Sequence, residues 1–343
     1  MVLPMSLPAF ELSDTAPLSE AGKKRFLASY GVNSAIEPEI TQDERPLFKE
    51  VQPYLREQPS RAIQILERER RQSSEQLHPA FLFLLGNLYY QQDQLNASDR
   101  ALRQAINEFP DFRRAHRTRA LIKVRQGDYV DSIEDWLKII SLGGGDAQSY
   151  GLLAYGYLNQ SSYQSALKAY EMARMFKPDS RDFRRGQAQC LLRLNRQKEA
   201  IALFDELIRE EPDNADYWQL QANAYLAQNK ETEALTNLEI LNDKGQANPR
   251  TQLLLGDLYL RQDMAQQALS AYQSAITQDA QPDWRQATRP LDYLIGKQQY
   301  QAAEKYLDHL RNNYSPSADH QDSYRERIQR AQASMAMAKE TYK

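Results

Sequence analysis

The sequence predicts an all-α chain, an α-solenoid built from repeated helical hairpins. Two observations carry this prediction. The 343 residues are 41% hydrophobic and 26% charged, with only 13 glycines and 15 prolines, which is a composition typical of helices. The chain also repeats with a period of 34 residues, and apolar side chains inside a period recur at three- and four-residue spacing. Each period therefore predicts two amphipathic helices packed against each other.

Six successive repeats keep this period without an insertion or a deletion, and they start at Pro79, Arg113, Ala147, Arg181, Ala215 and Pro249. The eighth position of every repeat is small: Gly86, Ala120, Ala154, Ala188, Ala222 and Gly256. The twenty-fourth position is bulky: Leu102, Trp136, Tyr170, Phe204, Leu238 and Tyr272. A small residue on helix A lets helix B approach closely, and a bulky residue fills the space beside it. Turn-forming residues at 126–128 and 160–162 are expected to separate the two helices.

The third repeat carries the fullest form of the pattern: Tyr150, Leu153, Ala154, Tyr157, Ala166, Tyr170, Ala173 and Pro178. This spacing resembles the tetratricopeptide repeat, which reads W-x2-L-G-x2-Y, then A-x3-F, then P. The resemblance implies a right-handed α-solenoid of tetratricopeptide-type helical hairpins. It also implies that helix A of each repeat lines a concave groove and that the chain binds other proteins.

The register divides the chain into five predicted segments. In the seventh period Pro290 stands at the eighth position, so the first helix there must be shortened or kinked. The terminal segments follow from composition and from the need of a solenoid to cover its open end. The predicted segments are a partly extended leader (1–45), a degenerate helical pair (46–78), six repeats (79–282), a degenerate repeat (283–316) and a C-terminal capping helix (317–343).

Charge and apolar runs bear on the class of partner and on location. The net charge of −3 and the pI near 5.9 argue against nucleic-acid binding through the overall field. No apolar run approaches the roughly 18 residues of a membrane helix, so no membrane insertion is expected. Residues 1–10 lack the basic and apolar regions of a signal peptide. Because a removed leader would leave the same start, a cytoplasmic and a periplasmic or secreted location both stay open.

The sequence contains no catalytic signature, since the HExxH, G-x-S-x-G, Walker and G-x-G-x-x-G patterns are all missing. It therefore predicts a protein that is not an enzyme and has no cofactor. The four histidines are too widely scattered to predict a metal site. The single cysteine, Cys190, is expected to pack as a small hydrophobe, with a reactive thiol near Arg185 and Arg193 as the alternative.

Repeats two and four carry more arginines on helix A than the packing of the repeat requires. Helix A of repeat two, over 113–125, carries six basic residues with no acid between them, and the basic residues of repeat four are opposed only by Asp182. In the family that the pattern resembles, positions 2, 5, 9, 12 and 13 of helix A usually face the groove. Carried over to this sequence, these positions give the candidate partner-binding residues Asn87, Arg114, Arg117, Arg125, Gln148, Tyr155, Asn159, Arg185, Gln189, Arg193 and Asn223.

Two further basic residues, Arg119 and Lys123, occupy positions 7 and 11 of repeat two, which are normally packed. Either their aliphatic stems extend along the core while the charges reach water, or that helix is rotated slightly.

The planar arginine fork can donate two parallel hydrogen bonds to a carboxylate. The leading hypothesis is therefore a non-catalytic protein-protein interaction scaffold that binds a partner segment, acidic or carboxy-terminal, along the concave helix-A face. Two alternatives stay open. The arginines can form a solvated face balanced by acids on helix B. The chain can also be a structural or assembly subunit of a larger complex, packing through its convex face or its ends; its solution size, as monomer or complex, separates these readings.

Overall fold

The structure is a computed structural model that describes residues 36–72, 77–278 and 283–341. Within these ranges every regular element is a helix, so the predicted all-α fold class is confirmed. The chain divides into two compact units, the first ending at Asn195 and the second beginning at Arg196. Of the predicted leader over 1–45, residues 1–35 lie outside the described part of the chain.

The first unit is a succession of helices, each packed mainly against its neighbours in sequence, as in a solenoid. A short 3-10 turn, Gln52–Tyr54, follows the first helix. The helices are α1 (Arg45–Val51), α2 (Pro59–Gln72), α3 (Pro79–Gln91), α4 (Leu95–Glu108), α5 (Arg113–Gln126), α6 (Ile133–Ser141), α7 (Ala147–Asn159), α8 (Tyr163–Phe176) and α9 (Arg181–Arg193).

The second unit continues in the same style, with a 3-10 turn at Ala318–His320 before its last helix. Its helices are α10 (Gln197–Glu210), α11 (Ala215–Ala227), α12 (Glu231–Asp243), α13 (Pro249–Arg261), α14 (Ala265–Thr277), α15 (Trp284–Ala287), α16 (Arg289–Gly296), α17 (Tyr300–Asn313) and α18 (Gln321–Thr341).

Helix A of each in-register repeat begins at the first residue of its 34-residue period, as α3, α5, α7, α9, α11 and α13 do. Side-chain caps explain several of these starts. Asp146 accepts a hydrogen bond from the Ser149 backbone N–H at 2.7 Å, and Asn248 accepts one from that of Thr251 at 2.9 Å. These caps satisfy donors that the first helical turn leaves without a partner.

The turn between helix A and helix B is also periodic. Position 15 has a positive φ in every one of the six repeats: Asp93, Gly127, Ser161, Asn195, Asn229 and Asp263, with φ between 57° and 84°. Among these six residues Gly127 is the one that takes this left-handed conformation without a steric cost. The position therefore favours glycine, asparagine and aspartate, since it ends helix A and redirects the chain into helix B.

The packing inside a repeat follows from the small and bulky columns. A Cβ atom added at Gly86 would lie 2.7 Å from the Leu102 Cγ atom, so a side chain there would require Leu102 to shift. The Ser98 hydroxyl, at position 20, donates to the Gly86 carbonyl at 2.6 Å. All six position-24 side chains are buried. The bulky side chain of helix B at position 24 therefore packs against the backbone of helix A near position 8, as the sequence predicts.

Repeat two departs from its neighbours in helix B. Helix α6 begins at Ile133, one turn later than the other helices of its type, and residues 129–132 form turns instead. The Lys123 ammonium donates to the Asp131 backbone carbonyl in this region at 2.7 Å. The charge at position 11 thus satisfies a carbonyl outside the helix.

In the second unit Thr288 separates α15 from α16, and Pro290 is the second residue of α16. A proline is tolerated at this position because the first N–H groups of a helix have no partner within it. Helix α18 buries Ile328, Ala331 and Met335 in a core shared with α16 and α17.

Candidate partner-binding site

The predicted contact residues of the first unit lie on α3, α5, α7 and α9, and we call this surface the helix-A face. Neighbouring helices on this face meet through positions 5 and 2. The Arg114 guanidinium lies over the Phe83 ring at 5.3 Å, and one repeat later Arg117 donates to the Gln148 amide oxygen at 3.3 Å. The structure therefore brings two of the predicted residues, Arg117 and Gln148, into contact, and it places Arg114 against Phe83, which was not among the predicted residues.

Arg114 is held between an aromatic ring and an acid. Its Nε donates to the Glu37 carboxylate at 2.7 Å, and Phe83, below the guanidinium, packs against Phe112 with ring centroids 4.8 Å apart. Burial raises the pKa of Glu37 by more than the Arg114 guanidinium lowers it. The acid comes from the segment before α1, far away in sequence.

Arg117 is fixed by three acceptors at the start of α7. Its Nη2 donates to the Asp146 carboxylate at 2.8 Å and to the Gly144 carbonyl at 3.2 Å, and Nη1 reaches Gln148. Burial acts to raise the pKa of Asp146, but hydrogen bonds from Ser149 and Arg117 outweigh it and hold this pKa below its usual value. The carboxylate that caps α7 thus also orients Arg117.

The remaining arginines of the face have partners nearer to solvent. Arg125 pairs with Asp93 at 2.8 Å and lies over the Tyr90 ring at 5.3 Å. Arg185 pairs with Asp182, three residues earlier, at 3.0 Å. Each of these acids is more than half exposed.

Arg193 completes the row with an aromatic contact. Its guanidinium lies over the Tyr163 ring, 5.9 Å from the centroid. All five predicted arginines therefore contact an acid or a ring of the chain itself. The acids that pair with them lie at turns, before α1 or on helix A, and not on helix B, where the sequence predicted them.

The uncharged residues of the prediction lie deeper. Asn87, Tyr155 and Gln189 are buried, with 6–8% of their surface exposed. Asn87 donates to the Phe83 carbonyl and accepts from the Thr118 hydroxyl at 3.2 Å. These three residues therefore pack beneath the exposed side chains of the helix-A face and have little surface left to contact a partner.

Two other predicted residues differ in position. Asn159 donates to the Tyr155 carbonyl one helical turn earlier, at 2.8 Å. Asn223 is half-buried on α11 and belongs to the second unit. The face of the first unit is therefore formed without it.

A buried ionic cluster behind this face explains Arg119 and Lys123. The Asp135 carboxylate on α6 lies 2.8 Å from His116 Nδ1, 3.1 Å from Arg119 Nε and 3.6 Å from Lys123 Nζ, and 1% of its side chain is exposed. His116 Nε2 lies 3.0 Å from the Pro110 carbonyl. Both ring nitrogens of His116 therefore lie within hydrogen-bond distance of an oxygen atom. The charges at positions 7 and 11 thus converge on a buried acid.

Tetratricopeptide repeat family models match the chain over residues 83–147 and 220–283 and over residues 157–224, which together make up more than half of it. The chain belongs to the tetratricopeptide repeat family. No curated protein gives a significant match to this chain.

Solved structures of similar fold are also tetratricopeptide repeat proteins. The C-terminal part of one from Cytophaga hutchinsonii is 12% identical with a TM-score of 0.53, covering 72% of this chain and 99% of that one. A protein from Parabacteroides merdae is 16% identical with a TM-score of 0.43, covering 74% and 99%. YrrB, described as a TPR protein with an unusual peptide-binding site, is 16% identical with a TM-score of 0.46, covering 55% and 92%. The likeness to the Cytophaga hutchinsonii structure concerns the fold alone.

Within the tetratricopeptide pattern, the polar pair at positions 7 and 23 sets two repeats apart. Repeat two has Arg119 opposite Asp135, and repeat five has Gln221, whose amide oxygen accepts from Asn237 at 2.8 Å. Repeat one has the apolar pair Leu85 and Ala101 at these positions. Among the six repeats, repeat two has both a cation at position 7 and an acid at position 23, and this complementary pair was the signal in the sequence that could have revealed the cluster.

Three further observations concern the chemistry of this tetratricopeptide repeat protein. Cys190 is buried, and burial raises the pKa of its thiol to about 12, which suits a packed side chain. Among the described residues no group of three or more His, Cys, Asp or Glu side chains is arranged to hold a metal ion. In the same part of the chain no helix combines the length and apolar character needed to cross a bilayer.

Proposed function

We propose that this tetratricopeptide repeat protein is a scaffold whose first unit binds an acidic partner segment along its helix-A face. The family supplies the general role in protein interaction. The observation that supports the partner chemistry is a row of five arginines on that face, each oriented by a contact within the chain: Arg114, Arg117, Arg125, Arg185 and Arg193.

The ion pairs near solvent are easily exchanged. Asp93 is 72% exposed in its pair with Arg125, and Asp182 is 53% exposed in its pair with Arg185. Exposed pairs of this kind contribute about 0.2–1 kcal/mol. A partner carboxylate that offers a bidentate contact can therefore replace the internal acid at low cost.

Arg117 has a different part in the proposal. Its guanidinium is held by Asp146, Gly144 and Gln148, and 31% of its side chain stays exposed. An arginine that is already oriented loses less conformational freedom when it binds. We expect Arg117 to fix the position of a partner acid, while Arg125 and Arg185 add exchangeable contacts.

The test begins with affinity capture on the full chain, followed by mass spectrometry and calorimetric titration of each captured partner. In the variant Arg117→Glu with Arg185→Glu, affinity should fall at least about tenfold, as expected when a charge-assisted contact becomes a repulsive one. The matched control is Arg103→Glu, an arginine on α4 that is 62% exposed. If the double variant binds every captured partner as tightly as the control does, the helix-A face is not the binding surface.

A second candidate, an assembly subunit of a larger complex, is favoured by a different observation. Leu137 on α6 and the pair Met175 and Phe176 at the end of α8 are large apolar side chains with 45%, 75% and 54% of their surface exposed. A contiguous exposed apolar patch marks a surface that packs against other proteins, and Met175 and Phe176 are neighbours in the chain that could contribute to one. Light scattering after size exclusion separates the candidates, because a stable oligomer favours assembly and a monomer favours binding on the helix-A face.

A further inference from the structure

The segment before α1 is recognised by α5 in two ways. The Ile36 carbonyl accepts a hydrogen bond from the Arg113 backbone N–H at 3.3 Å, and the Glu37 carboxylate accepts one from Arg114 Nε at 2.7 Å. Residues 38–40 have no regular secondary structure, yet Glu37 and Pro38 are both buried. A short acidic stretch thus lies in a built site on the helix-A face.

The site has the features of a ligand site for an extended acidic peptide. Arg113 is the first residue of α5, where N–H groups have no partner within the helix, and the Phe112 side chain supplies no cap. The Ile36 carbonyl takes the place of that cap. Arg114, stacked on Phe83, supplies the charge that Glu37 meets. The Arg113 backbone N–H thus binds a backbone carbonyl, and the Arg114 side chain binds the carboxylate of the next residue.

The ion pair between Glu37 and Arg114 contributes little net free energy to holding this internal segment. Only 8% of the Glu37 side chain and 22% of the Arg114 side chain are exposed, so both charges lose most of their hydration. In such pairs the desolvation cost roughly offsets the attraction. The raised pKa of Glu37 has the same cause, because burial outweighs the effect of Arg114. A competing acid can therefore exchange with Glu37.

We propose that residues 36–39 are an internal ligand of the helix-A face, and that the partner bound at Arg114 carries an extended segment of the same chemistry, an acid followed by proline. The inference rests on the proposed function and deepens it by naming the partner segment. A partner that binds at Arg114 then displaces the internal segment. The apparent affinity for the partner equals the intrinsic affinity multiplied by the fraction of molecules in which the internal segment is undocked.

The experiment uses the full chain with two charge-reversed variants from the same segment. Glu37→Lys places a cation against Arg114 and expels the segment. Glu39→Lys makes the same chemical change at an exposed position two residues away and is the matched control. Hydrogen exchange read by mass spectrometry on the fragment covering residues 36–44 measures docking. We expect faster exchange in Glu37→Lys, wild-type exchange in Glu39→Lys, and restored protection when Glu37→Lys is combined with Arg114→Glu.

Binding is then measured with a fluorescent synthetic peptide of residues 36–42, IEPEITQ. We expect it to bind Glu37→Lys at least about tenfold more tightly than the wild type, because the internal competitor has been removed. Adding Arg114→Gln to Glu37→Lys should abolish this gain, and Glu39→Lys should bind as the wild type does. Circular dichroism checks that each variant keeps its helices.

Two results would overturn the inference. If exchange in residues 36–44 is the same in Glu37→Lys and Glu39→Lys, the Glu37 contact does not hold the segment. If exchange rises in Glu37→Lys but the peptide binds no more tightly, the site at Arg114 accepts no external ligand. Neither result depends on the Arg117 and Arg185 variants, so failure of the proposed function is seen separately in the affinity-capture experiment.

Discussion

Replacing Asp135 by asparagine should destabilise the first unit strongly. The substitution keeps the shape of the side chain and removes the carboxylate charge that lies 2.8, 3.1 and 3.6 Å from His116, Arg119 and Lys123. Asp99 on α4 remains, at 3.9 Å from Arg119. At an effective dielectric constant of about 20, one pair of unit charges 3 Å apart interacts by roughly 5 kcal/mol. Desolvation offsets part of this attraction, and removal of one partner from a buried pair typically costs about 3–5 kcal/mol.

Two controls separate a buried charge effect from a general effect of the substitution. Asp93→Asn makes the same chemical change in the exposed pair with Arg125, and it should shift stability by less than about 1 kcal/mol. The triple variant Arg119→Leu, Lys123→Tyr and Asp135→Ala gives repeat two the residue types that repeat one has at positions 7, 11 and 23. This variant should leave the free energy of unfolding unchanged or raise it, because replacing a buried ion pair by well-packed apolar side chains is often neutral or stabilising.

Urea denaturation of the full-length variants, followed by circular dichroism, gives the midpoint and the slope of each transition. Hydrogen exchange over residues 113–141 adds a local readout, since repeat arrays need not unfold in a single step. A cost below about 1 kcal/mol for Asp135→Asn, equal to that of Asp93→Asn, would refute the reasoning. It would mean that His116, Arg119 and Lys123 find other acceptors or water once the carboxylate charge is gone.

Two further predictions concern the turns and the thiol. Gly127→Ala should lower the free energy of unfolding and Ser161→Gly should raise it, each by about 1 kcal/mol. Both residues have a positive φ, 84° and 62°, that only glycine adopts without steric cost. Urea midpoints that move in the same direction for the two variants would contradict this. Cys190 should not react with Ellman's reagent at pH 8 in the native protein, since its pKa is raised to about 12 and the thiolate forms only well above that pH. One equivalent should react after denaturation, and complete reaction of the native thiol within minutes would show that the site is accessible.

The 34-residue register predicted the fold well because it depends on local rules. A small residue at position 8 and a bulky one at position 24 constrain two helices that are adjacent in sequence, so the sequence carries the contact directly. Caps and turn residues fall at fixed offsets for the same reason. The exception is the first turn of helix B in repeat two, where residues 129–132 are not helical and no propensity or capping signal in the sequence predicts this.

The candidate site was less predictable, because its electrostatics depend on pairs that the repeat rule does not describe. The family positions placed the arginines on the helix-A face, but they could not place the acids that balance them. Asp93 and Asp146 lie at turns, where their role in ending or capping a helix hides their second role as ion-pair partners. Pairing across a turn is a property of the folded hairpin and not of either helix alone.

Glu37 marks the limit of what a repeat pattern can show. It is separated from Arg114 by 77 positions and belongs to a segment outside the repeats, so no periodicity relates the two. The position of Glu37 depends on two features of α5. Arg114 is stacked on Phe83 and offers a charge, and the start of α5 has no side-chain cap and offers a backbone N–H. Those conditions would be met equally by an acid from another chain. The contact that the sequence could not predict is therefore also the one on which the proposed partner chemistry of the helix-A face depends most directly.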